Sequence, residues 1–378
     1  MPAPLEGILV VDLSRVLAGP FCTMLLGDLG ARVLKVEHPQ EGDVTRGWAP
    51  PHDPASGLSA YYLSINRNKE SLALDLASEK GVRSVRLLAK RADVLVENFP
   101  PGGLEKFGLS LEDLRRASPR LITASITGFG RRGPDASAPG FDLLAQAGAG
   151  LMAVTGEPEG SPTKIGIAVS DLFAGAFLAV GIAAALAGRA RTGLGAHVET
   201  DLFSSTLSAL INVAQSALVT GQEAGRHGNA HPQIVPYRTF SAADGDFVVA
   251  AGTDRQFARL ARALGRPAWA EDSRYRTNEA RLALRDELEE ALGEIFRREP
   301  REVWLTRLRE AGVPAGPVRG PLEALRSATA EALGSVVSSR GVSFVASPIR
   351  IEGHTPPLAF PPDLDADGER LRREFELP

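Results

Sequence analysis

The 378-residue sequence predicts an α/β protein, with a mostly parallel sheet covered on both faces and then a smaller α+β domain. Three observations carry that expectation. The chain opens with a β-rich run, a helical run ended by glycine and a second β-rich run, which together make a βαβ unit. Strand and helix patterns then keep alternating. Beyond residue 236 the order changes to two adjacent strands followed by several helices.

The first two strands fall at 8–13 (ILVVDL) and Arg32–Glu37 (RVLKVE), with a helix over 20–30 between them. Further strands are expected at 72–76, 94–96 and 121–126. Helices are expected at 79–92 and at Leu111–Ala117, the latter behind a Ser110 cap. A helix over 141–151 precedes a strand at 165–169 and a helix opening at Asp171. After a strand at His197–Asp201 and a helix over 203–219, the stretch 222–236 is polar and turn-rich and reads as a linker. Strands near 238–241 and 247–251 are joined through Asp244-Gly245, and helices follow at 256–264, 281–297 and 300–311. The tail carries a strand at 342–351 and the run HTPPLAFPP, and is expected to return to the first domain. The predicted divisions are a large domain 1–221, a linker 222–236, a small domain 237–318 and a C-terminal segment 319–378.

Composition narrows the function classes. With 44% hydrophobic and 23% charged residues the chain reads as an ordinary globular protein. A formal net charge of −4 argues against a global nucleic-acid footprint, so any anionic ligand must be held by local basic groups. The single Cys22 leaves no internal disulfide and no cysteine-based zinc site, which fits a reducing compartment. The opening MPAPLEGILVVDL has no basic segment ahead of a long apolar run, so no secretory leader is expected. The uncharged run 172–188 is short for a membrane span and rich in Ala and Gly, and is expected to be a core helix.

Three motifs invite chemistry. GFGRRG (Gly128–Gly133) has the spacing of a dinucleotide-binding turn and follows a strand, but Pro-Asp-Ala-Ser-Ala-Pro comes next where a helix should start. HGNAH places His227 and His231 four apart, yet Gly-Asn between them and Pro232 behind them oppose the helix that a zinc pair needs. No metal is expected. No GxSxG elbow is present, and Cys22 has no base nearby in sequence. Asp171 remains: it stands between a short β-like run and the uncharged helical run. It is either the cap of that helix or a reactive carboxylate on the ligand-binding edge of the sheet, and the two roles are compatible.

The segments VVDLSRVLAGPFCTMLLGDLGARVLKVEHPQEGDVTRGW, NRNKESLALDL, DVLVENFPPGGLEKFGL, GFDLLAQAGAGLMAVTG and VSDLF, continued by PYRTFSAADGDFVVAAGTDRQF, VPAGPV and SPIR, run through nearly the whole chain. In this order they resemble the class III (CaiB/BaiF-type) CoA-transferases, which include formyl-CoA:oxalate and carnitine CoA-transferases and the α-methylacyl-CoA racemases. The resemblance implies a Rossmann-like large domain and an interlocked homodimer. It implies acyl-CoA and a carboxylic acid as substrates, no permanently bound cofactor and a cytoplasmic location. It makes Asp171 the nucleophile that forms an aspartyl anhydride and then an aspartyl-CoA thioester.

Residue by residue, the resemblance places Arg15, Val16, Leu17 and Ala18 along the CoA pocket and the pantetheine path. It places Lys69, Asn98, Phe99 and Lys106 around the nucleotide and its phosphates, and His38 where the formyl-CoA enzyme carries arginine. Asp142 matches an active-site neighbour of the nucleophile. Phe141 stands where racemases carry a histidine, and phenylalanine cannot serve as the second acid/base that α-proton exchange needs, so the racemase is the alternative reading. The glycine-rich loop of the oxalate enzyme is missing around 228–236. That absence counts against formate and oxalate and favours dicarboxylates such as succinate, glutarate or citramalate.

Overall fold

The computed structural model describes residues 2–378. Six strands form one sheet: β1 (Leu9–Asp12), β2 (Arg32–Glu37), β3 (Lys69–Ala73), β4 (Val94–Glu97), β5 (Ile122–Thr127) and β6 (His197–Asp201). Their spatial order is β3-β2-β1-β4-β5-β6, with every pairing parallel. The connecting helices, in chain order, are α1 (Ala18–Asp28), α2 (Ala60–Ile65), α3 (Glu79–Arg91), α4 (Leu111–Ala117), α5 (Asp142–Gly148), α6 (Leu151–Val154), α7 (Val169–Thr192), α8 (Leu202–Ala209) and α9 (Ile211–Thr220). Alternation along the strands sends Val11, Leu34 and Leu95 to one face with α3 and α4. Val10, Val33 and Val94 go to the other face with α1, α7 and α8. Because α1 leaves β1 toward one face and α4 leaves β4 toward the other, a crevice opens at the carboxyl ends of β1 and β4.

Helix α7 buries Ser170, Ala174, Leu178 and Ile182, a stripe spaced four residues apart. By length and composition it could cross a membrane, at 24 residues and mean hydropathy 2.0, but its buried stripe seats it on the sheet. Gly175 allows the close approach to α1, since a Cβ there would lie 2.4 Å from the Ala18 carbonyl oxygen. Edge strand β3 is closed by the C-terminal tail. Asp367 accepts the Ser71 amide at 3.0 Å, and Asp365 accepts that of Ala73 at 2.8 Å.

Two compact units divide the chain. The first holds the residues up to Leu151, Lys164–Gln222 and Ala328–Pro378; the second holds Met152–Thr163 and Glu223–Ser327. In the second, an antiparallel sheet of β7 (Tyr237–Ser241), β8 (Asp246–Ala250) and β9 (Ala315–Pro317) meets α10 (Asp254–Ala263), α11 (Asn278–Ala283), α12 (Arg285–Phe296), α13 (Arg301–Glu310) and α14 (Pro321–Leu325). Its core includes Phe247, Phe257, Phe296 and Trp304. The stretch read as a linker is part of this unit from Glu223 onward. Val235 is buried in its core, and the Val235 carbonyl accepts from the Arg281 guanidinium at 2.7 Å.

Four element expectations are corrected. The segment 165–169 is not a strand, because its polar backbone groups are taken by side chains rather than by a neighbouring strand. Gln146 accepts the Ile165 amide at 2.9 Å, and Asp142 accepts that of Ser170 at 2.8 Å. The helix over 203–219 is two helices, α8 and α9, bent by 81°. The helix over 281–297 is interrupted between α11 and α12. The strand from Val342 ends at Val345, where β11 (Val342–Val345) completes its pairing with β10 (Val336–Ser339). In the tail, α15 (Ala328–Ala332) precedes this hairpin and α16 (Gly368–Glu374) follows it.

Leu178, fully buried at the centre of the α7 stripe, tests this packing. Leu178→Ala should lower unfolding stability by about 2–5 kcal/mol in urea titration. A loss below about 0.5 kcal/mol would show that this face is not in the core.

Candidate active site

The crevice between β1 and β4 is where two loops meet. The Arg15 amide donates to Asn98 Oδ1 at 2.8 Å, and Asn98 Nδ2 donates to the Arg15 carbonyl at 2.7 Å. This reciprocal pair ties the turn after β1 to the turn after β4. The Arg15 guanidinium lies 5.0 Å from the Phe99 ring centroid, and Phe99 meets Phe107 edge-on at 6.3 Å. A pocket of about 240 Å³ opens beside them, walled by Arg15, His38, Phe99 and Phe107 and by the β3 exit Leu74–Ala77. Lys106 lies on an adjoining groove with Arg83 and Arg86. Arg15, Asn98, Phe99 and His38, expected from sequence to act together, are therefore gathered at one crevice. Leu74, Ala77 and Phe107 were missed, since nothing in their pattern separates a pocket wall from a core residue.

Under the crevice lies a buried polar network. Asp12 accepts from the Ser14 amide at 2.9 Å, from the Ser14 hydroxyl, from Thr23 Oγ1 at 2.6 Å and from Lys69 Nζ at 3.2 Å. Lys69 also donates to the Pro20 carbonyl and to Asn66 Oδ1, both at 2.9 Å, and its side chain is fully buried. Its three N–H donors are thus all engaged inside the protein. This corrects the expectation that Lys69 reaches a phosphate: it is a cation of the core, and burial pushes its pKa down to about 8 against the pull of Asp12. Val16 has φ 70°, a left-handed conformation that costs a β-branched residue about 1–3 kcal/mol. Leu17 and Ala18 follow as the buried start of α1.

GFGRRG forms no dinucleotide turn. It is a bend with no helix until Asp142, and its glycine has another reason. Gly128 and Gly140 lie backbone to backbone, and a Cβ on Gly128 would sit 2.5 Å from the Gly140 Cα. Arg131 of this loop donates to Glu97 Oε1 at 2.8 Å and to Ser125 Oγ at 2.9 Å, joining the ends of β4 and β5. His227 and His231 lie on a turn, where His231 Nδ1 accepts the Gln233 amide.

Asp171 is the third residue of α7 and not its cap, because the helix starts at Val169. The capping is supplied from outside the helix. Asp142, first residue of α5, accepts the Ser170 amide through one oxygen and Gln146 Nε2 at 2.7 Å through the other. Asp171 is thereby released from backbone duty. Its carboxylate makes no hydrogen bond or ion pair among the described residues, and burial followed by the Asp142 charge raises its pKa to about 7. One turn along the helix, Gly175 meets Ala18 at the start of α1.

Tyr61 on α2 was not anticipated, since YYL in a helical run reads as core. Burial, and then the charges of Asp171, Asp142 and Asp43, push its hydroxyl up to about 12. It stays a neutral donor in the field of Asp171, and Trp48 packs edge-on against it with ring centroids 4.9 Å apart. Phe141, immediately before Asp142, is 65% exposed and carries no group able to move a proton.

The same unit thus carries a crevice walled by Arg15, His38, Phe99 and Phe107 and a half-buried carboxylate with no hydrogen bond or ion pair among the described residues. Comparison with known proteins identifies the family. Residues 5–368 match the model of CoA-transferase family III. The acetyl-CoA:oxalate CoA-transferase of Acetobacter aceti is 41% identical, over 99% of this chain and 96% of that protein. The succinyl-CoA:glutarate CoA-transferase of Mus musculus is 45% identical, over 83% of this chain and 72% of that one. A crystal structure of a CaiB/BaiF family protein from Brucella suis superposes with a TM-score of 0.91 at 42% identity, covering 99% of this chain and all of the other. The chain belongs to CoA-transferase family III and is a CoA-transferase, an enzyme that moves CoA between carboxylic acids.

Proposed function

We propose that Asp171 carries the CoA exchange as a covalent nucleophile. The observation that supports this most directly is its carboxylate: half-buried, without a hydrogen bond or ion pair among the described residues, and one helical turn from the contact of α7 with the start of α1. An Asp171 oxygen attacks the donor thioester carbonyl, the C–S bond breaks, and an acyl–aspartyl anhydride and CoA thiolate result. The thiolate attacks the aspartyl carbonyl, giving aspartyl-CoA thioester and free donor acid. The acceptor carboxylate attacks that thioester to form a second anhydride and thiolate. Attack of the thiolate on the acceptor carbonyl yields the new acyl-CoA and restores Asp171. No proton is gained or lost overall.

The raised basicity of Asp171 makes its ionised form a stronger nucleophile than an ordinary carboxylate. The positive end of the 24-residue α7 favours negative charge developing beside it. Arg15, His38, Asn98 and Phe99 hold the nucleotide end of CoA, with Lys106 toward its phosphates, while Val16, Leu17 and Ala18 guide the pantetheine arm. Phe141 and Asp142 border the acid.

Small dicarboxylates, with succinyl-CoA as donor, are the proposed substrates, in line with the succinyl-CoA:glutarate relative. The relative named for oxalate, 41% identical over 99% of this chain, keeps oxalate among the candidate acids despite the missing glycine-rich loop. We place the protein in the cytoplasm as a homodimer. Apolar side chains on α7 and α9 support a second copy, with Val180, Ile211, Leu218 and Val219 all more than two-thirds exposed.

Hydroxylamine added during turnover should convert Asp171 to a hydroxamate detectable by peptide mass spectrometry. Asp171→Ala should lose roughly 10³-fold or more in transfer rate; an active, unlabelled enzyme would remove the mechanism. The kcat/KM for acyl-CoA should rise with pH through an apparent pKa of about 7 as Asp171 ionises. Asp142→Asn should move that limb to lower pH, since the like charge is gone. The same group affects stability. Native Asp171 keeps a proton that the unfolded chain has already lost between about pH 4 and 7, so its ionisation destabilises the fold above pH 7. Asp171→Asn should therefore melt higher than the parent at pH 8, with the gap closing toward pH 4; an equal gap at both pH values contradicts this.

A further inference from the structure

We propose that the buried Lys35–Asp43 ion pair is a positioning device for acyl-CoA. It clamps the turn after β1 with Val16 in its left-handed conformation, and so fixes where Arg15 and the start of α1 face the ligand. This inference rests on the reading of the β1–β4 crevice as the CoA site.

The turn 14–16 has almost no backbone partners of its own, and side chains hold it group by group. Lys35 Nζ donates to the Ser14 carbonyl at 3.0 Å. Asn98 takes both the amide and the carbonyl of Arg15. The Val16 amide points at the two Asp43 carboxylate oxygens, at 3.4 and 3.3 Å. Lys35 and Asp43 close the clamp on each other at 2.8 Å, with both side chains wholly buried. Asp43 is itself fixed by the amide and hydroxyl of Thr45 at 3.0 and 2.8 Å, and its own amide is held by Glu37 at 3.0 Å. Both members of the pair belong to the wall of the crevice pocket.

A buried ion pair is a poor source of net stability, since desolvation offsets most of the attraction and apolar replacements are often neutral. Its use here is conformational. A glycine would reach the left-handed region at no steric cost, whereas valine stays there because surrounding groups over-determine it. Val16 sits between Arg15, whose guanidinium covers Phe99 at the pocket, and Ala18, which meets α7 at Gly175. A turn free to relax would uncouple the nucleotide end from the thioester end. Lys35 and Asp43 touch neither the reacting atoms nor Asp171; they act through the turn.

The test compares Asp43→Asn, the apolar pair Lys35→Met/Asp43→Leu and the combination Asp43→Asn/Val16→Gly with the parent enzyme. Titration calorimetry gives the Kd for free CoA, steady-state kinetics give KM for acyl-CoA and for the acceptor acid, and melting curves report the fold. We expect the CoA Kd and the acyl-CoA KM to rise about tenfold in the first two variants, the loss of one charged hydrogen bond. The acceptor KM should hold, and the apolar pair should melt below the parent, because the Ser14 and Thr45 groups lose their buried partners. Adding Val16→Gly should recover part of the CoA affinity, because glycine restores access to the turn without its clamp. A melting loss with unchanged CoA affinity would make the pair merely structural and overturn the proposal. So would absence of any recovery with Val16→Gly. Failure of the parent itself to bind CoA would overturn the crevice assignment, and the positioning role with it.

Discussion

The molecule depends first on the divergence of chain direction at β1. Because β2 pairs with one edge of β1 and β4 with the other, the turns after β1 and β4 part toward opposite faces and leave space between them. That space exposes polar backbone at the centre of an otherwise apolar sheet, and the surrounding side chains answer it. Asp12, Lys35, Asp43, Lys69 and Asn98 satisfy the groups that the parting leaves open. The crevice and the buried charges beneath it are therefore one construction.

The reactive carboxylate follows from a second division of labour. Helix termini need partners for their first amides, and an aspartate in the first turn is commonly drawn into that task. Here Asp142 performs it from a different helix, leaving Asp171 without a hydrogen-bond partner among the described residues. The same carboxylate that frees Asp171 raises its proton affinity by lying close to it. Gly175 then sets the distance between this helix and the start of α1, since any larger residue would meet the Ala18 carbonyl.

Much of this was legible in the sequence, and the parts that were not share a cause. The strands of the large unit could be read because parallel, doubly covered strands are runs of Val, Ile and Leu whose burial is local in sequence. Helix α4 could be read from Ser110, which does accept a first-turn amide, whereas the matching Ser78 cap of α3 went unread. The segment 165–169 was misread because the Ile165 amide bonds to Gln146, 19 residues earlier, and the adjoining Ser170 amide to Asp142, 28 residues earlier, and no local pattern records that. Lys69 was misread for a related reason. In sequence it is a lysine at the start of a strand, and only the fold brings Asp12, Pro20 and Asn66 around its ammonium. Asp171 was singled out by its place ahead of an uncharged helical run and then by resemblance to a family, Arg15, Asn98 and Phe99 by the resemblance alone, whereas Tyr61 and Leu74–Ala77 carried no signal in pattern at all.

The C-terminal closure of β3 has a consequence for how the protein is made. Ser71 and Ala73 present edge amides whose partners, Asp367 and Asp365, lie almost three hundred positions later. During synthesis the first unit can assemble its sheet long before those carboxylates leave the ribosome, and in that interval β3 is an open edge able to pair with another chain. Carboxylates translated almost three hundred positions after the strand are thus the ones that make the sheet safe.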